Sequence, residues 1–324
     1  MISIVIPVHN ENESLSVLHE ELATVARQQN LELEIIFVDD GSNDGSWDTI
    51  RRLAEQKSNV SGIRFRRNFG KAAALNAGIS SASFPLVMTM DADLQDDPHE
   101  IPKFLAQVNQ GFDVVSGWKQ VRNDPWHKVL PSRIFNWLVS WVTGVRLHDH
   151  NCGFKCYRRE IFEEVRLYGE LHRFVPVLAA ARGWNVGELV VHHRARKFGR
   201  SNYGFERFIK GFLDLLTVHF LTGYNQRPQH LLGTIGIGSF FVGLVGLLYL
   251  ALYWVAAQMF PDWRLTPLHA RPAVIYSVGA LLLGAQLMSM GFLAELMTAY
   301  HGGKANSYSV RERVGRNRST APAP

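Results

Sequence analysis

The residues with the clearest capacity for chemistry are Asp91, Asp93 and Gln95, in the run Asp91-Ala-Asp-Leu-Gln95. They follow an apolar stretch over 86–90 whose length and composition predict a buried strand. Two carboxylates at the end of a buried strand are costly unless something positive meets them there. Once the strand has ended, positions i and i+2 can converge on one ion. Hard oxygen ligands with no nearby cysteine suit Mg2+ or Mn2+, ions usually completed by substrate phosphates and water. The plainer alternative is an acidic helix start, because Asp96 and Asp97 precede Pro98 and suit a cap.

The elements around this run favour the first reading. Apolar runs predict strands over 2–8, 33–38 and 62–66, and helical spacing predicts helices over 13–29, 46–57 and from Phe69 through Gly78. Strands alternating with helices predict an α/β fold, a parallel sheet with helices on both faces. Ligands of such sheets sit beyond the carboxyl ends of the strands. Here every such end is polar: His9-Asn-Glu11, Asp39-Asp40, Arg67-Asn68 and Asp91-Ala-Asp93. For Asp39 and Asp40 the competing reading is a solvated Asx turn, which we expect for one of the two. Further on come a short strand over 112–116, a Lys-, Arg- and Trp-rich loop over 117–127 and an amphipathic aromatic stretch over 131–142. The polar cluster His148-Asp-His-Asn-Cys-Gly153 follows, where His148 and His150 read as a polar turn rather than a metal pair. A helix is predicted over 168–183, and a basic segment over 190–200 carries Arg194, Arg196, Lys197 and Arg200.

The 324 residues leave room for a domain of about 200 residues and more. The net charge of +5 gathers around apolar segments, which points to a membrane rather than a nucleic acid. Cys152 and Cys156 are the only cysteines, too few for a disulfide framework or a zinc site, and fit a reducing cytosol. No charged n-region precedes the first strand, so no signal peptide is expected.

Between 203 and 216, Phe205, Phe208, Ile209, Phe212, Leu213 and Leu216 share one helical face, and Arg207, Lys210 and Asp214 fall elsewhere. This pattern predicts an amphipathic helix in a membrane interface; the alternative is a surface helix packed on the core. The stretch 231–259 has no charged residue and exceeds the ~20 residues that cross a bilayer; 273–294 gives a second such run. Basic residues flank the pair, including Arg227 before it and Lys304, Arg311, Arg313, Arg316 and Arg318 after it, whereas the loop between holds only Arg264 and Arg271. The positive-inside rule then puts both termini and the soluble part in the cytoplasm, as an integral inner-membrane protein. The expected organisation is a soluble domain over 1–200, a juxtamembrane region over 201–228, two spans within 229–300 (231–259 and 273–296) and a basic tail over 301–324.

Taken in order, the motifs resemble family 2 glycosyltransferases of the polyprenyl-phosphate type, the group with dolichol-phosphate mannose synthase and bacterial undecaprenyl-phosphate glucosyltransferases. Ile6-Pro-Val-His-Asn-Glu11, Val38-Asp-Asp-Gly-Ser42, Arg67-Asn-Phe-Gly-Lys71 with Ala74-Leu-Asn-Ala-Gly78, and Asp91-Ala-Asp-Leu-Gln95 resemble its donor motifs. Pro131-Ser-Arg133, Asp149 with Cys152-Gly-Phe154, and Arg196 with Gly199-Arg-Ser201 resemble its acceptor elements. Asn202 stands where a Lys is common, and His9 replaces a frequent Tyr beside the base.

The resemblance implies a GT-A-type Rossmann-like nucleotide-sugar domain, followed by the interface helix and two transmembrane helices. It implies inverting transfer of a sugar from a nucleotide diphosphate to polyprenyl (undecaprenyl) phosphate. Mg2+ or Mn2+ would be held by Asp91, Asp93 and Gln95. Donor contacts would come from Pro7, His9, Glu11, Val38, Asp40, Lys71, Asp91, Ala92, Lys119 and Arg196. Acceptor-phosphate contacts would come from Arg122, Lys128, Arg133, Arg200 and Ser201. Asp91, Asp93, Asp149 and Arg133 form the implied catalytic set, with Asp149 orienting the acceptor or acting as base. A phosphate acceptor with a second pKa near 6 is already largely ionised, so cations that align it matter more than a base. Two spans resemble the glucosyltransferase branch, hence UDP-glucose; UDP-N-acetylglucosamine, UDP-galactose, a modified arabinose donor and GDP-mannose are the alternatives. A homo-oligomer, a tetramer first, is expected on the same ground. A processive polysaccharide synthase would carry a Gln-x-x-Arg-Trp motif and more spans, and neither is present. A membrane-bound nucleotide-sugar sensor without turnover is the rival from another class.

Overall fold

A computed structural model describes residues 1–120, 126–165, 167, 171–194, 211, 213–215, 217, 218, 222, 228–260, 267 and 271–301. The chain divides into two compact units, one within Met1–Thr222 and one within Gly223–Ser307.

The first unit is built on a seven-stranded sheet: β1 (Ile2–Val8), β2 (Leu33–Asp39), β3 (Val60–Arg64), β4 (Leu86–Thr89), β5 (Val114–Trp118), β6 (Lys155–Arg158) and β7 (Val186–Val190), in the order β3-β2-β1-β4-β6-β5-β7. β1 pairs in parallel with β2, from Ile2↔Leu33 to Val8↔Asp39, and with β4 on its other side. Its alternate residues serve two cores. Ile2, Ile4, Ile6 and Val8 pack with α1 (Asn12–Gln28), α2 (Ser46–Gln56) and α4 (Ile101–Asn109). Val5 packs with α3 (Lys71–Ser81), α6 (Ile161–Glu164) and α7 (Val175–Ala181) on the opposite face. Burial on both sides explains why β1 and β2 read as continuous apolar runs.

The expectation of a wholly parallel sheet is corrected in one strand. β6 runs antiparallel to both β4 and β5. The chain leaves β5, traverses α5 (Trp126–Thr143), and returns at the same end of the sheet, so Lys155 starts β6 opposite Thr89, where β4 finishes. Without a crossover the strand has to run backwards. β3 and β5 each lie two residues from their predicted spans, and other boundaries shift as well. The helix predicted over 168–183 is a short turn at Leu171–Arg173 followed by α7, and β7 then adds a parallel edge strand to β5. α5 begins before Pro131, which lies inside it. Most of the predicted interface helix lies outside the described residues; of those described there, Leu215 and Val218 are buried with Val139, Phe174 and Val177, and Leu213 is exposed.

The second unit pairs two long helices, Pro228–Met259 and Ala273–His301, both long and apolar enough to cross a membrane. Ser239 Oγ donates to Ala280 O at 2.8 Å. A Cβ on Gly284 would come within 2.4 Å of Phe240 N, so the two backbones touch there. Glu295 accepts the Gln229 N–H at 3.2 Å and so covers one orphan donor at the start of the first helix. Their outward side chains, such as Phe241, Leu252, Ile275 and Leu282, are exposed and apolar.

Candidate active site

The carboxyl ends of β1, β2 and β4 meet where the sheet order changes direction, since β1 lies between β2 and β4. A cleft there is lined by Pro7, Val8, His9, Glu11, Asp40, Asn68, Gly70, Lys71, Asp91, Ala92 and Asp93. Four separate motifs thus converge on one cavity.

Each side chain is held by its neighbours. The Asp40 carboxylate accepts the N–H of Phe69 at 2.6 Å and of Gly70 at 2.9 Å, which fixes the loop delivering Lys71 to the start of α3. Asp39 accepts the Ser42 N–H at 3.0 Å, with Arg64 Nε 3.4 Å from its other oxygen. Both are buried, at 0% and 4% exposure, so the solvated turn expected for one of them is corrected; backbone amides take the place of water. His9 Nδ1 lies 3.0 Å from Asp40 O.

Lys71 Nζ pairs with Asp91. Burial alone would raise the Asp91 carboxyl, but the ammonium of Lys71, and then that of Lys119, holds it down to about 2. Gly153 lies against this carboxylate, where a Cβ would sit 2.9 Å from one oxygen. Leu94 follows Asp93 with φ +62° and a buried side chain, an αL turn for a bulky residue that makes the chain bend sharply just after the second carboxylate. The Gln95 N–H donates to Asp93 Oδ1 at 3.2 Å.

Asp96 was missed as a site residue. Asp97 does the capping, accepting the His99 N–H at 3.0 Å. Asp96 is buried instead: its Oδ2 accepts the Asp91 N–H at 3.3 Å, and its Oδ1 is 3.2 Å from Lys119 Nζ. Burial works against the Lys119 charge, but Asp96, with Cys152 and Asp91 behind it, raises the ammonium pKa. The only signal in the sequence was a second acid where one cap is needed.

Gln95 turns away from the cleft lining. Its Nε2 lies 3.3 Å from His193 Nε2 and 3.4 Å from Arg194 O, while Arg194 bridges Glu21 and Asp97 at 2.7 Å each. Val38 is buried at the end of β2. Arg133 is exposed on α5, which also carries Lys128 and exposes Ile134, Trp137 and Trp141. Asp149 is buried, its Oδ1 accepting the Asn151 N–H at 3.1 Å. His150, expected in a polar turn, is fully buried with Nε2 3.1 Å from Ser140 Oγ. Arg122, Arg196, Arg200 and Ser201 lie outside the described residues.

The donor set fits a hard divalent cation. Asp91 and Asp93 face one cleft, and no cysteine lines it. Among the described residues no cluster of three or more His, Cys, Asp or Glu side chains forms a closed cage. Two carboxylates, with remaining positions left to phosphate and water, is the pattern of a magnesium-type site rather than a structural one.

A model of the family described as glycosyl transferase family 2 matches residues 3–166, the span that contains the cleft. The chain belongs to glycosyl transferase family 2. It is therefore a glycosyltransferase, as its motifs led us to expect. It is 36% identical over 319 residues to a dodecaprenyl-phosphate galacturonate synthase of Rhizobium johnstonii, covering 96% of this chain and 92% of that protein. It is 36% identical over 326 residues to an undecaprenyl-phosphate 4-deoxy-4-formamido-L-arabinose transferase of Pseudomonas fluorescens, covering 100% and 92%. Among solved structures it is similar to glucosyl-3-phosphoglycerate synthase of Mycobacterium tuberculosis bound to Mn2+, uridine diphosphate and phosphoglyceric acid, with TM-score 0.52, 16% identity, and coverage of 68% of this chain and 78% of that one. This last likeness bears on the fold, which is of GT-A type.

Proposed function

We propose that this glycosyltransferase moves a sugar from a uridine diphosphate sugar to a polyprenyl phosphate, with inversion, at the cytoplasmic face of a membrane crossed by its two apolar helices. The observation that carries the reading is the convergence of Lys71, Asp91 and Asp93 on one switch-point cleft, in a chain with two membrane-length helices. The polyprenyl-phosphate acceptors in the names of both relatives support it. The exposed Ile134, Trp137 and Trp141 on α5 suit a bilayer interface. A homo-oligomer, a tetramer first, belongs to the same proposal.

Asp91 and Asp93 would hold Mg2+ or Mn2+, joined by Gln95 once its amide leaves His193 and the Arg194 carbonyl, and the ion would take up charge developing on the leaving nucleoside diphosphate. Lys71 offers a cation beside the same phosphates, at a helix start whose free N–H groups add to it. Pro7, His9, Glu11, Val38 and Asp40 are assigned to the base and ribose of the donor, and Ala92 and Lys119 to the rest of the nucleotide sugar. Arg133, Lys128, Arg122, Arg200 and Ser201 are assigned to the acceptor phosphate, whose oxygen attacks the anomeric carbon directly, and Arg196 to the donor. Asp149 orients that phosphate or takes its proton.

The sugar is tested with a panel. UDP-glucose follows from the two-span resemblance; the relatives' names add galacturonate and 4-deoxy-4-formamido-L-arabinose. Detergent-purified protein with Mn2+ or Mg2+, undecaprenyl phosphate and radiolabelled donors is expected to move label from one UDP-sugar into the organic phase, and EDTA is expected to stop it. Label from GDP-mannose alone would overturn the uridine assignment. Tight UDP binding with no label from any donor would favour a sensor.

The acceptor also sets the pH dependence. Burial, then Lys155, holds His150 down to about 3; burial, then Lys71, Arg173 and Lys155, holds His172 down to about 2. With Asp91 also at about 2, none of the three changes charge between pH 5 and 7. The acceptor phosphate does, with its second pKa of about 6. At saturating donor, kcat/KM for the lipid is expected to fall about tenfold per pH unit below that value. A limb centred near pH 4 instead would move the titrating group to a protein carboxylate.

A further inference from the structure

The turn that carries Asp149 hangs on one carboxylate. Glu188, in the middle of β7, accepts the N–H of His148 at 2.8 Å and of Asp149 at 3.0 Å on Oε1, and its Oε2 lies 2.7 Å from His148 Nδ1. The His148 ring stacks on Trp118, at the end of β5, with centroids 4.0 Å apart. From the other side Asn136 of α5 donates Nδ2–H to His148 O at 2.9 Å and accepts from Asn151 Nδ2 at 3.3 Å. Asn136 is one helical turn beyond Arg133. At the far end of the same turn, Gly153 abuts Asp91, and its carbonyl accepts from Thr89 Oγ1 at 2.7 Å. One short segment therefore touches the helix that carries Arg133 and the carboxylate that lines the donor cleft.

Backbone N–H bonds to a charged acceptor are shorter and about twice as strong as neutral ones. Two of them from consecutive residues fix both the place and the tilt of a turn, which a single bond does not. A glutamate on an edge strand does not need this arrangement for solubility, since it could face water.

We propose that Glu188 is a positioning residue of the transfer reaction. It sets the place of Asp149 relative to Arg133 and touches no substrate itself. The proposal rests on the reading above in which Asp149 and Arg133 serve the acceptor. Misplacement of a reacting group by about 1 Å costs up to about a hundredfold in rate. A purely structural role would instead lower stability and weaken every ligand together.

The test uses the full-length protein in detergent, the donor that labels lipid, and undecaprenyl phosphate, with UDP affinity measured beside kcat and the two KM values. Glu188→Ala is expected to lower kcat about tenfold or more with UDP affinity within about twofold of wild type. Glu188→Gln keeps Oε1 as an acceptor for both amides and is expected to recover most of the rate. Asp149→Asn is expected to be impaired alone, and Glu188→Ala on that background is expected to add little, because both act through one group. Wild-type turnover in Asp149→Asn would overturn the assignment of Asp149 and this proposal with it. An impaired Asp149→Asn beside a silent Glu188→Ala, or losses that multiply in the double variant, would overturn the positioning role alone. Should Glu188→Ala not bind UDP, Glu188→Asp draws the carboxylate back by one methylene and decides the matter: lost turnover with UDP still bound supports the role, and wild-type turnover overturns it.

Discussion

Asp93→Ala is expected to lower sugar transfer about a thousandfold or more and to leave a folded protein that still partitions into membranes. Charge stabilisation by a bound divalent ion is worth several kcal/mol, and each 1.36 kcal/mol is about tenfold in rate. Asp91 already has the Lys71 ammonium against it, so the carboxylate pair without Asp93 brings no net negative charge to a cation. The fold should survive, because the backbone of the loop is held elsewhere: Asp96 keeps the Asp91 N–H, and β4 is paired on both sides. The measurement is organic-phase label against Mn2+ concentration, with a thermal melt of the same sample. Wild-type-like turnover would remove the ion from the mechanism, and a collapsed melt would make Asp93 a structural residue.

That prediction was available from the sequence because strand ends carry the site. β1 and β2 were legible nearly to the residue, since strands buried on both faces must be continuously apolar and then stop at polar turns. The cleft opens at those stops, so locating the strands located most of its lining: Pro7, His9, Glu11, Asp40, Lys71, Asp91 and Asp93.

β6 and β7 were illegible for an opposite reason. β6 begins with Lys155, whose side chain is buried and donates to His150 O at 3.0 Å; burial pushes its pKa down to about 8. A lysine inside a four-residue strand masks the apolar signal. β7 contains Gly187 and Glu188, which look like loop residues until the partners of Glu188 are known. Asp96 reads no differently from the cap Asp97 in the sequence, because local spacing cannot distinguish an acid that faces its own amides from one that reaches back to Lys119 and Asp91. In each case a polar residue is satisfied by a partner distant in sequence or by a backbone group, which no periodicity reports.

Arg133→Ala is expected to lower kcat/KM for the lipid acceptor about a hundredfold or more while UDP affinity stays within about twofold. Arg133 is assigned to align the attacking oxygen, and misplacing a reacting group by about 1 Å costs about a hundredfold in rate. Arg133 is exposed on α5 and away from the buried cores, so its loss should cost the fold at most about 0.5 kcal/mol. The helix around it is fixed independently: Val139 is buried with Phe174 and Val177, and Asn136 and Ser140 are hydrogen-bonded to the carbonyls of His148 and Leu147. A rigid helix with an exposed arginine can offer two parallel N–H groups to a phosphate at low entropic cost. Arg133→Lys separates charge from geometry, since the ammonium keeps the charge and loses the fork. Activity restored by lysine would make the contact a point charge, whereas a loss close to that of alanine would make it bidentate. If UDP affinity falls as far as acceptor use in either variant, Arg133 serves the donor, and the helix that carries it faces the nucleotide instead of the lipid.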